Sequence, residues 1–459
     1  MTIPPATGGP SFWWQQIGMP PRRAALAGDR RTQVCIIGAG YTGLWTALAL
    51  KSARPATDIL IVEAECAGFG ASGRNGGWLT GGFAWSHARY AASSSPAAVR
   101  AMVVAMNGTV AEITRQCQSL GIDAEITPTD ELLIATNPAQ WQRLQAEHQH
   151  RSAWGEADRL RLLTAAQTAR RIAIPGTQGA LQISGVARIQ PAQLAAGLAR
   201  AAEAMGIGIV ENTRATAIAP GLVTTPHGQI HADTILRCTE GFTATLPGHR
   251  RDLLPLNSAQ IITAPLPASV WDQIGWQGNE IIGDFAHSYC YCQRTPDGRI
   301  ALGGRGTPYR FGSGIDHDGH PDSATIAALT ARLHALFPAT RTARIAHAWC
   351  GVLGVPRDWC AGVAFDPVTR IGHAGGYVGV GVATSNLAGR TLAALTLGTD
   401  DPLTRLPWVN RSPRKWEPEP LRWLGLHSTY AAYAHADRVE AQGGAPSRLA
   451  NWVNWAVGR

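Results

Sequence analysis

The residues Gly38-Ala39-Gly40-Tyr41-Thr42-Gly43 stand between a β-branched run, TQVCII at 32–37, and the series Leu44, Ala47, Leu48, Leu50 on one helical face. Glycines so spaced between a strand and a helix suit a pyrophosphate. Gly38 allows the tight turn, Gly40 lets backbone approach the phosphates, and Gly43 lets the helix pack closely on the sheet. The first helical turn, with Tyr41 and Thr42, offers free N–H groups and a positive dipole end. A second apolar run, ILIV at 59–62, ends in Glu63, 25 residues beyond Gly38. Its carboxylate can accept hydrogen bonds from ribose hydroxyls. The chemistry is dinucleotide binding, and the spacing does not separate a flavin from a nicotinamide dinucleotide.

Two more segments carry ligand chemistry. Residues 64–78, AECAGFGASGRNGGW, are rich in small residues such as Ala64, Ser72, Gly76 and Gly77, as a loop pressed against a large flat ligand would be. Arg74 and Asn75 are its candidates to meet phosphate or ring carbonyl oxygens, and Trp78 closes it. Residues 375–386, GGYVGVGVATSN, read as a strand, a glycine turn and a second helix start, with Gly379, Gly381, Val382, Ala383 and Thr384 at the turn. Substrate-side candidates come from SYCYCQRT at 288–295. Regular strand pairing would place Tyr289 and Tyr291 on one face and Arg294 on the other. Arg294 has two readings, a bidentate carboxylate clamp or an outward ion pair. Ile300-Ala301-Leu302 follows a Pro296-Asp297-Gly298 turn, which predicts an antiparallel hairpin. Cys290 and Cys292 read as buried sulfur, so no metal is expected.

The elements holding these residues belong to a globular chain. With 459 residues, 45% hydrophobic and 16% charged, two or three folding units are expected, and a disordered chain, coiled coil or fibre is excluded. The 40 basic and 32 acidic residues give +8, but only Lys51 and Lys415 are lysines and no like-charge block occurs. Nucleic-acid binding is therefore not expected, and a basic surface favours small anions. No run approaches 18 apolar residues, so no membrane span is expected. Residues 1–14 carry neither a basic n-region nor an apolar h-region, and the eight cysteines form no CxxC pair. A reducing cytoplasm is the expected compartment.

Three segments together resemble one family: VCIIGAGYTGLWTALAL (34–50), GFGASGRNGG (68–77) and GGYVGVGVATSNLAGRTLA (375–393). The chain resembles the D-amino-acid oxidase superfamily of FAD enzymes, in its γ-glutamylputrescine oxidoreductase-like branch. The resemblance implies an α/β plus α+β fold. A discontinuous Rossmann-like FAD-binding domain (1–90, 180–245 and 341–400) would interleave with an antiparallel-sheet substrate domain (91–179 and 246–340) that roofs the flavin. Residues 401–459, with Trp408, Trp416, Trp423, Trp452 and Trp455, would form a C-terminal helical tail. Segment 188–218 would bring Ala215 to the adenine, and segment 232–244 would bring Cys238, Thr239 and Gly241 beside the cofactor. The second helix start would stabilise negative charge at the flavin C2 carbonyl. Trp349, in HAWCG at 347–351, is a further substrate-side candidate. Cys350 stands where the branch usually has glycine, and a cysteine in this region of sarcosine oxidases is linked covalently to flavin. Those oxidases also use a lysine near the flavin for oxygen reduction, and neither Lys51 nor Lys415 is well placed.

The implied activity is FAD-dependent oxidation of an amine or amino-acid C–N bond to an imine, hydrolysed to an aldehyde or oxo acid. Reoxidation is by O2 or another acceptor. Two other classes remain: an aromatic-ring flavin monooxygenase, whose GD segment Gly283-Asp284 imitates, and a non-catalytic FAD-binding protein. Oligomeric state is not legible.

Overall fold

The computed structural model describes residues 6–304, 309–447, 449–450 and 452–453; Trp455 lies outside the described residues. Two sheets organise them. In the smaller, five parallel strands run in the order Ile371–Gly375, Gly228–Arg237, Arg30–Ile37, Ile59–Val62, Gly208–Val210. Antiparallel Gly362–Asp366 edges the sheet, and a short meander, Ala217–Ala219 and Leu222–Thr225, leans on Gly228–Arg237. The four residues of Ile59–Val62 are all buried, which is why this run shows no polar alternation. Arg30–Ile37 feeds directly into helix Tyr41–Ala53. One neighbour, Ile59–Val62, follows it through that helix, and the other, Gly228–Arg237, returns from much later in the chain, so the strand order turns here and the Gly38 turn opens at a topological switch point.

Helix Gly381–Leu397 lies against Tyr41–Ala53. A Cβ placed on Gly389 would sit 2.8 Å from the Thr46 nitrogen, so only glycine lets the two helices approach this closely. The Thr42 Oγ1 and Tyr377 hydroxyl, 2.9 Å apart, tie the two glycine turns together.

The larger sheet has a spine of Ile345–Val355, Leu254–Thr263, Ile300–Gly304, Cys290–Arg294, Ile281–Asp284, Thr127–Ala135 and Gly179–Arg188. It is mixed rather than purely antiparallel, because Ile281–Asp284 runs parallel to Thr127–Ala135. The hairpin at Pro296-Asp297-Gly298 forms, pairing Arg294 with Ile300. One row crosses six strands: Leu133, Gly283, Tyr291, Gly303, Gln260, Trp349. Side chains alternate along a strand, so this row and its i±2 neighbours share one face. The other face carries Cys290, Cys292 and Leu302, packed under Leu329 and Leu333 of helix Ser323–Leu336.

Sheet membership cuts across the expected segments. Ile345–Val355 and Trp78–Leu79, expected on the cofactor side, hydrogen-bond in the larger sheet. Ile345–Val355 is 11 residues long, so it joins that sheet while its far end, at Val352 and Leu353, reaches the cofactor side. In the tail, Trp408 and Trp416 are buried, Trp452 is exposed, and helix Leu421–Ala441 packs on the body. No helix among the described residues is long and apolar enough to cross a membrane.

Candidate cofactor and substrate site

Two cavities meet where the sheets face each other. The first, about 1210 Å³, opens at the ends of Arg30–Ile37 and Ile59–Val62. Gly38, Gly40, Tyr41 and Thr42 line one side, followed by Glu63 and Ala64. Ser72 and Asn75 come from the small-residue loop, and Ala215, Cys238, Thr239 and Gly241 from the middle of the chain. Gly379, Gly381 and Val382 complete it. The second cavity, about 1310 Å³, shares Ala71, Asn75, Leu353, Gly379 and Val382 with the first. Its own walls include Arg74, Gly76, Trp78, Tyr289 and Tyr291.

Local chemistry shapes the first cavity for a dinucleotide. Gly38 has φ +106°, and a Cβ there would lie 2.6 Å from the Cys238 carbonyl oxygen. Neither N-cap residue, Gly40 or Val380, caps its helix with its own side chain, and at the first of them Ser72 Oγ accepts from Tyr41 N–H at 2.8 Å; both helices still present positive ends to one cavity. Glu63 Oε2 accepts from Ala39 N–H at 2.8 Å and Oε1 from Glu65 N–H at 2.9 Å. Burial pushes the Glu63 carboxyl pKa up while these bonds oppose the shift. Each oxygen keeps a further acceptor position for a ribose hydroxyl. These two helix starts, the acid at the second strand end and the glycine cradle fit FAD.

Asn75 stitches its loop, donating to Ser72 O at 2.8 Å and accepting from Gly77 N–H at 2.8 Å. Gly76 and Gly77 admit the roof: a Cβ on Gly76 would meet the Tyr291 ring at 2.6 Å, and one on Gly77 the Gln293 amide at 2.1 Å. Trp78 donates to Cys292 O at 3.2 Å and meets Tyr291 edge-on at 5.9 Å. The Tyr291 hydroxyl lies 3.2 Å from Ser258 Oγ.

Several sequence candidates lie elsewhere, and strand parity explains two of them. Arg294 is on the face opposite Tyr291; its guanidinium donates to Trp276 O and stacks 4.0 Å over Trp271, so it does not line the cavity. Cys350, one residue from Trp349, also points away from the roof face, toward Asp316 Oδ2 at 3.5 Å, and lines neither cavity. Burial and Asp316 push its thiol pKa up, which disfavours the nucleophilic thiolate. Trp349 has the right parity but is covered, donating to Arg74 O at 2.9 Å against the Trp13 ring. Arg74 lines the second cavity, yet its Nη1 donates to Cys350 O at 3.0 Å and its Nη2 to His317 O at 3.1 Å, with the guanidinium over Phe69 at 4.4 Å and only the buried Nε left without a partner among the described residues. It pins the loop instead of meeting a phosphate. Ala383 and Thr384 are fully buried inside the helix packing, and Gly43 acts through the helix–strand contact. Acid precipitation of the flavin-loaded protein is expected to leave all yellow colour in the supernatant; colour in the pellet would put the sulfur chemistry back on Cys350.

Sequence reasoning missed Glu240, which accepts from Gly376 N–H at 3.1 Å and Tyr377 N–H at 2.9 Å and lines the first cavity. Burial raises its pKa to about 7. An acid inside a stretch of small residues, 238–244, was the available signal. His317, on the rim beside Phe69, has none, because its segment carries no recognisable pattern. Lys51 donates to Thr57 O at 2.9 Å and Lys415 lies 3.5 Å from Asp252; neither lines a cavity.

A family model described as FAD dependent oxidoreductase (DAO) matches residues 33–395. The chain belongs to this family. Its cofactor is FAD, and it is an oxidoreductase. Within the family it is 28% identical over 408 residues to the probable oxidoreductase OrdL of Rhizobium meliloti, covering 86% of this chain and 91% of that protein. It is 28% identical over 373 residues to the γ-glutamylputrescine oxidoreductase of Escherichia coli, covering 80% and 83%. Glycine oxidase from Geobacillus kaustophilus shares the fold with TM-score 0.68 and 22% identity, over 81% of this chain and 96% of that one.

Proposed function

We propose that this FAD-dependent oxidoreductase oxidises the C–N bond of a small amine or amino acid to an imine, which water hydrolyses to an aldehyde or oxo acid. The observation that carries the reading is the shared wall. A dinucleotide cavity and an aromatic-roofed second cavity are continuous at Gly379, Leu353 and Val382. Bound FAD supplies the acceptor for a hydride equivalent from the substrate C–H.

The chain's own part is binding and orientation. The Gly38–Thr42 turn would hold the phosphates, Glu63 the ribose hydroxyls, and the Gly379–Val382 helix start would offset negative charge. Tyr291, Tyr289 and Trp78 would hold the substrate between roof and cofactor and keep water out. Among the described residues no lysine faces either cavity, so reoxidation by O2 would use another cation, or electrons would leave to another acceptor. Gly283-Asp284, the segment that imitates a monooxygenase signature, ends a roof strand, and Asp284 is paired with Arg332. That disfavours the monooxygenase reading. A continuous second cavity likewise disfavours a purely structural FAD protein.

Anaerobic mixing with free and γ-glutamylated polyamines, N-methyl amino acids and small amino acids tests the reading. Bleaching of the flavin absorbance by at least one class is expected. No bleaching by any amine, together with rapid reduction by NADPH, would overturn it.

A further inference from the structure

Two non-glycine residues beside the cofactor cavity have left-handed backbone, Glu240 at φ +41° and Val378 at φ +55°. Such angles are uncommon for any L-residue, and for a β-branched one they are outliers. Strain of this kind persists only where the surroundings hold it. Glu240 opens the turn Glu240–Thr245, and its side chain reaches the segment ahead of Val378. Its Oε1 accepts from Gly376 N–H at 3.1 Å and Tyr377 N–H at 2.9 Å, the two residues before the valine. Its Oε2 accepts from Gly354 N–H at 2.5 Å, near the end of strand Ile345–Val355. A Cβ on Gly354 would lie 2.1 Å from that oxygen, so glycine makes room for the carboxyl.

These bonds hold both sides of the wall between the cavities. Gly354 follows Leu353, and Gly376 and Tyr377 lead into Gly379; Leu353 and Gly379 line both cavities. Glu240 itself lines the first. Its partners are three backbone N–H groups and, among the described residues, no cation. The titratable groups around it do not neutralise it. Burial pushes Cys238 and Tyr377 up, so both stay protonated near neutral pH. Asp252, ahead of strand Leu254–Thr263, is bound to His249 at 2.6 Å. Strand Ile345–Val355 brings Val352, Leu353 and Gly354, which carry no charge. Of the cavity's other acids, Glu63 is bonded to the N–H groups of Ala39 and Glu65, and Glu65 pairs with Arg214. Burial raises the Glu240 carboxyl to about 7, against the three N–H bonds that favour its charged form.

Electrons entering the bound cofactor add negative charge to this cavity. A carboxylate facing the same space without a cation then becomes harder to keep ionised. We infer that Glu240 is a positioning residue of the cofactor site that also takes up a proton when the cofactor is reduced: its carboxyl clasps Gly354 to the Gly376–Tyr377 turn, faces the cofactor cavity and has no cation beside it. Two electrons come from the donor onto the cofactor, and one proton from bulk water adds to Oε2. No bond in the protein breaks, and the proton returns to water on reoxidation. Oε1 keeps Gly376 and Tyr377 throughout, so the clasp survives the change of charge. The inference rests on FAD binding and not on the amine-oxidation reading.

Stepwise anaerobic reduction of the flavin-loaded protein by dithionite, against a reference dye, reads the midpoint potential at each pH without any amine. Below pH about 7 Glu240 is protonated in both redox states, so the parent and Glu240→Gln should run parallel. Above it, the equilibrium constant for reduction should fall in the parent, relative to Glu240→Gln, by up to about tenfold per pH unit, or about 30 mV for two electrons. A merely structural role would offset the two curves by a constant amount, so curves parallel from about pH 6 to about pH 9 would overturn the inference. If Glu240→Gln does not load FAD, the reduced-minus-oxidised infrared spectrum of the parent at about pH 8 decides. A newly protonated carboxyl band is expected there, and its absence would overturn the inference. Parallel curves with flavin bleaching by an amine would reject the proton uptake and keep the amine reading. Diverging curves with no bleaching by any amine would do the reverse.

Discussion

Gly43→Ala is expected to give a folded protein that purifies pale, with FAD affinity about 10- to 100-fold weaker. The added Cβ would lie 2.0 Å from the Gly38 carbonyl oxygen and 3.3 Å from Ile36 Cγ2. The near atom is backbone, so it cannot swing aside as a side chain would. Helix Tyr41–Ala53 must retreat from the strand, and its open N–H groups retreat from the phosphate position. Overpacking of this kind costs about 1–3 kcal/mol, which on binding is roughly one to two decades. Gly108→Ala is the control: it lies inside helix Pro96–Ser119 with nothing within 4 Å of the new Cβ. It should keep its colour and gain slight stability from better helix propensity. Equal FAD dissociation constants for Gly43→Ala and the parent would sink the assignment of this turn.

Glu440→Ala is expected to cost about 2–4 kcal/mol in a urea titration of the flavin-loaded protein and to raise KM with flavin content unchanged. Glu440 is fully buried in the tail helix; it accepts from Arg143 Nη1 at 2.7 Å and lies 3.1 Å from His287 Nε2. Three more contacts hold the same roof loop. Arg143 donates to Phe285 O at 3.0 Å, and Asp437 accepts from His287 N–H at 2.8 Å and Ser288 N–H at 2.9 Å. Tyr433 stacks on His287 at 5.7 Å. That loop leads straight into Tyr289 on the second cavity. Removing one partner strands the Arg143 charge, at a cost near the lower part of the 3–5 kcal/mol range because Arg143 is partly exposed. Glu440→Gln, which keeps the shape, should show a smaller change in both readouts. A KM unchanged in Glu440→Ala despite lost stability would separate the tail from the substrate site.

The sequence by itself determined the cofactor half. Gly38, Gly40, Gly43 and Glu63 belong to local backbone geometry, turn, helix start and strand end, all of which lie within some 30 residues. Tyr41–Ala53 and Ile59–Val62 therefore stand where their patterns predicted. The sequence also predicted the roof hairpin, because a Pro-Asp-Gly turn is a local signal. Only the tertiary structure decided which roof residues line the second cavity. Arg294, Cys350 and Tyr291 lie on neighbouring stretches of one sheet, and a shift of one residue in register exchanges the face each presents. That register is set by pairing between strands more than 40 residues apart, such as Leu254–Thr263 with Ile345–Val355. The tail contact at Glu440 was hidden for the same reason: its charge gains its meaning from Arg143 and His287, which meet it only after distant segments have closed around it.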